Sequence, residues 1–229
     1  VGFERLWSNW PKLDAAARLA AGRALMKIDP AFGRKLSRKM DDSFADDRLQ
    51  AVMMARTLNQ SSYHLPQLLE LTEDGDERVA SAAVKALGTV ADSPEAERAL
   101  ELALHHSDDR VRSNAIEALA SIHRLAPVAR TLMDIAEGSG NRSRATAIKA
   151  LLELPMTDAM PQLQRMLSDP EDRHRVSALW VVERLGLLPL VQGVADLAKS
   201  DPLPKVRRRA MRVLRDIARM YSSTRDTVA

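Results

Sequence analysis

Arginine and lysine are the residues of this chain whose types and spacing could do chemistry, and that chemistry is the binding of anions. Five of them recur at intervals of 32, 32, 31 and 32 residues: Arg78, Arg110, Arg142, Arg173 and Lys205. Guanidinium and ammonium groups bind carboxylates and phosphates. Two interpretations are open. These cations neutralise the acidic turns beside them, or they form an anion-binding stripe.

Catalytic and metal-binding motifs are not found in the sequence. The chain has no cysteine, which excludes thiol catalysis, and it has neither a phosphate-binding glycine loop nor a Gly-x-Ser-x-Gly motif. His105 and His106 precede Asp108 and Asp109, but adjacent helical residues point about 100° apart. They also lack the i,i+4 spacing of the histidines in a zinc-binding helix. We therefore expect no metal and no cofactor, and we favour a protein that is not an enzyme.

The composition predicts a folded protein without a membrane span. Hydrophobic residues make up 45% of the chain and charged residues 28%, which is ordinary for a globular protein. The most apolar stretch, 178–198, contains Glu183 and Arg184, so no membrane-spanning segment is predicted. The absence of cysteine suits a reducing compartment, and we expect the cytoplasm. Because the first residue is Val1 rather than methionine, we expect a piece of a longer protein.

Charge is distributed unevenly along the chain. Residues 1–114 contain 16 basic and 18 acidic residues, whereas residues 115–229 contain 18 basic and 13 acidic ones. A basic surface attracts acidic molecules. The sequence therefore predicts that an acidic partner would bind the C-terminal half, and above all its last helix.

The elements that must position these cations are copies of one amphipathic helix. The segment Asp108–Ile122 reads DDRVRSNAIEALASI, and near-copies of it recur along the chain. Their central alanines, at intervals of 32, 32, 32, 31 and 32 residues, are Ala51, Ala83, Ala115, Ala147, Ala178 and Ala210. A period this constant indicates a repeat array.

The apolar positions of each copy predict its buried side. The first, third, fourth and seventh residues after the central alanine are apolar in every copy, which gives a broad hydrophobic arc on a helix. We expect the alanine to be small because two helices cross there, so that a leucine would cost about 1–3 kcal/mol. A second helix lies between successive copies, and period-2 alternation does not persist. The pattern predicts an all-α fold.

The repeat unit resembles the HEAT repeat, in particular its short phycobilisome-lyase-type subclass. The signature is an Asp, a turn, Val-Arg, and then Ala and Ala-Leu at helical spacing. It is clearest in residues 109–119 and again in residues 205–214. The resemblance covers about Ala31 to Met220. It implies an α-solenoid, a right-handed superhelix of about six to seven antiparallel helix pairs, with the Ala-centred helices lining the concave side.

We predict a single repeat domain over residues 1–229. An N-terminal cap covers residues 1–29, in which Trp7 and Trp10 shield the first apolar face and Asp14 caps a helix. The repeats cover residues 30–202 and a C-terminal capping helix residues 203–221. The polar tail, residues 222–229, is expected to fray.

A second series of arginines stands three residues before the central alanines, inside the predicted buried arc. The resemblance implies that each of these arginines pairs with an aspartate six residues earlier, as in Asp169 with Arg175 and Asp201 with Arg207. A half-buried arginine must have its donors satisfied. We therefore interpret this series as structural.

Trp180 is the exception on the face that should be exposed, because the neighbouring copies have Lys149 and Arg212 at its position. It packs on an arginine stem or on the adjacent repeat, or it anchors a partner, since Trp and Arg are favoured at binding hot spots. The candidate partner-binding residues are Arg142, Lys149, Arg173, Trp180, Arg184, Lys205, Arg208, Arg209 and Arg212.

Three functions remain open from the sequence. The first is a non-enzymatic scaffold that binds a protein, or another domain of the same polypeptide, on its concave face. The second is binding of nucleic acid or another polyanion by the basic C-terminal half, because the chain is similar in size and helical build to HEAT-like DNA glycosylases. The third, a subunit of a bilin lyase, follows only from the subclass that the repeat resembles.

Overall fold

The computed structural model describes residues 2–90, 92–155 and 157–226, and in these ranges the chain is helical without β-strands. The fourteen α-helices in these ranges are α1 (Gly2–Asn9), α2 (Ala15–Ile28), α3 (Phe32–Met40), α4 (Ala45–Thr57), α5 (Leu65–Glu70), α6 (Glu77–Leu87), α7 (Pro94–Ala103), α8 (Asp109–Ser121), α9 (Ala129–Glu137), α10 (Asn141–Glu153), α11 (Met160–Leu167), α12 (Asp172–Leu185), α13 (Val191–Ser200) and α14 (Pro204–Asp226). The predicted all-α fold is confirmed. None of these helices combines the length and the apolar character needed to cross a membrane.

The chain divides into two compact units, Val1–Arg124 and Leu125–Ala229. In unit 1 the Ala-centred helices α4, α6 and α8 pack side by side in this order. In unit 2 the Ala-centred helices α10, α12 and α14 do the same. Each Ala-centred helix also packs against the helix that precedes it in the chain, from α3 with α4 to α13 with α14. Each unit is therefore a stack of helix pairs.

The central alanines mark the closest packing between helices. All six are fully buried, among them Ala83 in unit 1 and Ala178 in unit 2. The apolar residues that follow them are buried as well, such as Val84 and Leu87 in α6. The arc predicted from the periodicity is thus the packed side of α4, α6, α8, α10 and α12, where leucine, valine and alanine interdigitate. On α14 part of this arc is open, since Met211 is exposed.

Several helices begin at residues whose side chains accept hydrogen bonds from the free backbone N–H groups of the first turn. Asp14 accepts from Ala17 N at 2.8 Å, as predicted, and Asp108 accepts from two N–H groups at the start of α8. At the other end, α12 stops at Gly186, whose φ of 61° is left-handed and suits glycine.

Aromatic rings close the N-terminal end of unit 1. The side chains of Trp7 and Trp10 are buried. Phe3 stacks on Trp7 with 5.9 Å between ring centroids and meets Phe32 edge to face at 5.5 Å. Because Phe32 belongs to α3, these rings pack against the first helix pair. The assignment of residues 1–29 as a cap stays a prediction.

The last helix is longer than the sequence predicts. The polar tail was expected to begin at Ser222, but α14 continues to Asp226. Residues 227–229 of the predicted tail lie outside the described ranges. The extension is favoured by Tyr221, whose hydroxyl donates to the Gly186 carbonyl at 3.0 Å and ties the last turns to α12.

Candidate functional site

The arginines three residues before the central alanines are half-buried or buried, and those at positions 48, 144 and 175 pair with aspartates of the following repeat. The side-chain pairing expected within one repeat is therefore wrong. Arg48 donates to Asp74 from Nε at 2.7 Å and from Nη2 at 2.8 Å. Arg175 donates to Asp201 from the same two nitrogens, at 2.7 and 3.1 Å. We call these pairs, together with Arg144 and Asp169 at 2.9 Å, the Arg–Asp ladder.

The aspartate six residues earlier still contacts its arginine, but through the main chain. Arg175 Nη1 donates to the carbonyl oxygens of Asp169 and Pro170 at 2.8 and 2.9 Å. Arg207 makes the same contacts with Asp201 and Pro202. Arg48 and Arg175 therefore each hold the turn before their own helix with Nη1 and bind the next turn with Nε and Nη2.

Each ladder aspartate also shapes its own turn. Asp74 Oδ1 accepts a hydrogen bond from Asp76 N at 2.8 Å, and Asp201 Oδ1 accepts from Leu203 N at 2.9 Å. The hydrogen bond from Arg48 keeps the pKa of Asp74 below its usual value against the opposing effect of burial. Both carboxylates are thus fully engaged in structure, which supports the structural interpretation of this arginine series.

The ladder lacks a pair between α6 and α8. Ala80 stands where the arginine would be, and His106 stands where the aspartate would be. His106 Nδ1 accepts a hydrogen bond from Asp108 N at 3.0 Å, so it replaces the carboxylate as the acceptor in its turn. This contact explains the histidine without a metal. Among the described residues there is no cluster of three or more side chains that could ligate a metal ion.

The periodic cations on the surface contact the acidic turns. Arg78 binds Asp76 at 2.7 Å and Asp46 of the preceding repeat at 3.0 Å. In unit 2, Arg173 binds Glu171 at 2.5 Å and Lys205 binds Asp172. The observed contacts favour neutralisation of the turns over a free anion-binding stripe. Arg142 is exposed at the equivalent place on α10.

Three helices of unit 2 present the other candidate residues on one surface, the Ala-helix face, formed by α10, α12 and α14. Equivalent positions on neighbouring packed helices form rows, with helix axes about 8–10 Å apart. One row holds Lys149, Trp180 and Arg212. Lys149 is neutralised by Glu153 at 2.6 Å. Arg209 is neutralised by Glu183 of the neighbouring helix.

Trp180 lies half-buried at the centre of this row, rather than on a fully exposed face. Three exposed arginines of α12 and α14 make no ion pair within the described residues: Arg184, Arg208 and Arg212. A role of Trp180 and these three arginines in partner binding stays a prediction. Surface pairs such as Lys149 with Glu153 cost little to break, so their cations stay accessible to a stronger partner.

A groove of about 680 Å³ in unit 2 was not predicted from the sequence. It lies between α11 and α13, and its walls include Leu167, Leu190 and Leu197. Two of its carboxylates, Asp169 and Asp201, already bind ladder arginines. The groove lies between helices of two neighbouring repeats, and the periodicity within a single helix carries no signal for such a gap.

Comparison with known proteins agrees with this architecture. The model of the HEAT repeat family matches residues 33–120 and 129–215. No curated protein matches the chain significantly. The structure of the YibA protein of E. coli superposes on 84% of this chain and 74% of its own, with a TM-score of 0.58 and 19% identity. For an archaeal HEAT-like repeats protein from Thermococcus onnurineus NA1 the coverage is 89% and 95%, the TM-score 0.49 and the identity 17%.

Proposed function

Because this chain belongs to the HEAT repeat family, in which stacked helix pairs form long rows of side chains, we propose that it is a non-enzymatic interaction scaffold. Its partner is a protein, or another domain of the same polypeptide, bound on the Ala-helix face of unit 2. The proposed compartment is the cytoplasm, which a chain without cysteine suits.

The observation that supports this proposal is Trp180 with the arginines around it. A half-buried tryptophan is held by its own fold and still offers an apolar edge to a partner. Arg184 follows it by one helical turn on α12, and Arg212 lies in its row on α14. Tryptophan flanked by arginine is the composition that dominates binding hot spots.

The periodic cations would serve as the rim of this site. Arg142, Arg173 and Lys205 lie at equivalent positions of the three helices. Arg173 already binds Glu171 of its own turn, and Lys205 binds Asp172 of the preceding repeat. An exposed ion pair exchanges partners at small cost. We expect these residues to change the association rate more than the affinity.

The test is the effect of Trp180→Ala on capture of a partner from cell extract at moderate salt. The partner is identified by mass spectrometry, purified and measured for affinity. We expect the variant to bind at least about tenfold more weakly. Lys85→Ala, at the equivalent position of α6 in unit 1, is the matched control and should bind like the wild type. The proposal is wrong if Trp180→Ala retains full affinity for every captured protein.

The same experiment addresses the polyanion alternative, which the unpaired arginines Arg184, Arg208 and Arg212 favour. Binding of nucleic acid weakens steeply with salt because counterions are released from phosphates. Capture of nucleic acid that is insensitive to Trp180→Ala and falls steeply between low and high salt would replace the protein-scaffold proposal.

A further inference from the structure

The last helix, α14, exposes a face whose equivalent on the neighbouring Ala-centred helix, α12, is covered. On α12 the residues of this face are buried or half-buried: Arg175, Val176, Leu179, Val182, Glu183 and Gly186. The equivalent residues of α14, which we call its outer face, are Arg207, Arg208, Met211, Leu214, Arg215 and Ala218. Leu179 is fully buried, whereas Met211 exposes 47% of its surface. The outer face thus has the positions that pack against the next helix elsewhere in the array, but no helix among the described residues covers it.

The Arg–Asp ladder reaches this face with an arginine that has no carboxylate. Arg207 Nη1 holds the turn of Asp201 and Pro202, as the earlier ladder arginines hold theirs. Its Nε and Nη2 have no hydrogen-bond partner among residues 2–90, 92–155 and 157–226. In Arg48 and Arg175 the same two nitrogens bind both oxygens of one aspartate. The planar guanidinium of Arg207 therefore has two donors, Nε and Nη2, with which it can bind one more carboxylate.

The charges on the outer face are the reverse of those that α12 presents to α14. Between α12 and α14 the carboxylate is on the earlier helix, since Glu183 accepts from Arg209. On α14 the residue equivalent to Glu183 is Arg215, and Arg208 stands one turn from Met211 toward the start of the helix. No acidic residue lies on this face. A helix that packs here in the manner of the stack must therefore bring the carboxylates itself.

We propose that the outer face of α14 binds an acidic amphipathic helix of a partner protein. An aspartate in the turn before that helix binds Arg207, and glutamates along it bind Arg208 and Arg215. An apolar stripe beside the glutamates covers Met211 and Leu214, the residues whose counterparts on α12 are buried. The inference goes beyond the proposed function, because it assigns a second surface and a partner of defined chemistry.

Two other occupants fit this face less well. A second copy of the chain would bring one of its Ala-centred helices, whose residues equivalent to Arg209 are Gln50, Ala82, Asn114, Thr146 and Ser177. None of them is a carboxylate. A single-stranded nucleic acid is held by aromatic stacking as well as by charge, and the outer face carries Met211 and Leu214 in place of aromatic residues.

The test uses a synthetic amphipathic peptide of about 20 residues. It has glutamates at i, i+4, i+7 and i+11, a leucine stripe beside them and an aspartate in its N-terminal turn. Its affinity for the full chain is measured by fluorescence anisotropy. We expect replacement of the glutamates by glutamine, and separately the double variant Arg208→Glu with Arg215→Glu, each to weaken binding at least about tenfold. A lysine version of the peptide should bind the double variant in preference to the wild type.

The control variant is Arg98→Glu with Arg130→Glu, which changes the net charge equally at exposed positions of α7 and α9. It should bind the peptide as the wild type does. Circular dichroism and the melting temperature verify that both variants fold, and light scattering reports self-association. The proposal fails if the acidic peptide does not bind, if the two double variants weaken it equally, if the chain self-associates through this face, or if a DNA duplex binds there more tightly than the peptide.

The two proposals can fail separately. Trp180→Ala should leave the affinity for the acidic peptide unchanged, because Trp180 is not on the outer face of α14. Peptide binding without a Trp180-dependent partner would support this inference alone. A Trp180-dependent partner without peptide binding would support the scaffold alone.

Discussion

His64 is a fully buried imidazole that the fold holds in its neutral form. Its Nδ1 lies 3.2 Å from Ser37 Oγ, and its ring meets Tyr63 edge to face. Burial removes water from the charged form and lowers the pKa from 6.5 to about 4. The protonated form is thus excluded near neutral pH, and no carboxylate contributes to this shift.

We predict that the free energy of unfolding falls as pH is lowered below 6.5. The unfolded chain takes up a proton on His64 near pH 6.5, whereas the folded chain resists it down to about pH 4. Stability is complete above 6.5 and declines through this window, by about 2 kcal/mol between about pH 7.5 and pH 5. Urea titrations at these two pH values measure the difference, and His64→Gln should remove most of it. An equal decline in the variant would show that another group is responsible.

The ladder shows why a charged residue can occupy the seam between repeats. Arg175 and Asp201 are both nearly inaccessible, and the guanidinium uses three nitrogens to satisfy a carboxylate and two carbonyl groups. Removing one partner would leave the other charge buried, at a cost of about 3–5 kcal/mol. Exposed pairs such as Lys149 with Glu153 carry no comparable cost.

At the scale of the element, α6 and α8 approach so closely at one point that only glycine fits. A Cβ on Gly88 would lie 2.8 Å from the Cα of Ala118 and 2.7 Å from its Cβ. Ser121 Oγ donates to the Gly88 carbonyl at 2.8 Å, which fixes this contact. Because the obstacle is partly main chain, the helices would have to separate to admit a methyl group.

We predict opposite effects for two glycine-to-alanine changes. Gly88→Ala should lower the free energy of unfolding by about 1–3 kcal/mol through overpacking. Gly193→Ala, within α13 and with no atom within 4 Å of the added Cβ, should raise it by up to about 1 kcal/mol through helix propensity. Chemical denaturation of both variants measures the pair. Stabilisation by Gly88→Ala would mean that α6 and α8 separate freely.

Helices were predictable from the sequence because their signals are local. The arc behind each central alanine and the cap at Asp14 follow from periodicity and one side chain. The partner of Arg175 was not predictable, because Asp169 and Asp201 are both turn aspartates and only the packing of the next helix pair selects one. The half-burial of Trp180 depends on neighbouring helices in the same way. The neutralisation of Lys149 by Glu153 was accessible from i,i+4 spacing.

At the scale of the whole molecule, the charge difference follows the two compact units. Residues 1–124 contain 17 basic and 19 acidic residues, and residues 125–229 contain 17 basic and 12 acidic ones. Both proposed surfaces lie in the basic unit. An acidic partner would therefore be attracted to that unit before it contacts either surface.

In a stack in which each repeat contacts its neighbours, a destabilising substitution should lower stability mainly in the helices near it. We predict that Asp201→Asn, which leaves Arg175 without its carboxylate, speeds amide hydrogen exchange in α12, α13 and α14 at least tenfold. The same variant should change exchange in α4 and α6 less than about twofold, since no ladder pair or helix contact of these helices is lost. Gly88→Ala should give the opposite pattern of exchange rates, with faster exchange in α6 and α8 and little change in α14. Mass spectrometry of exchanged peptides measures both patterns. A uniform increase along the chain in either variant would contradict the prediction, because it would show that the array unfolds as one cooperative block.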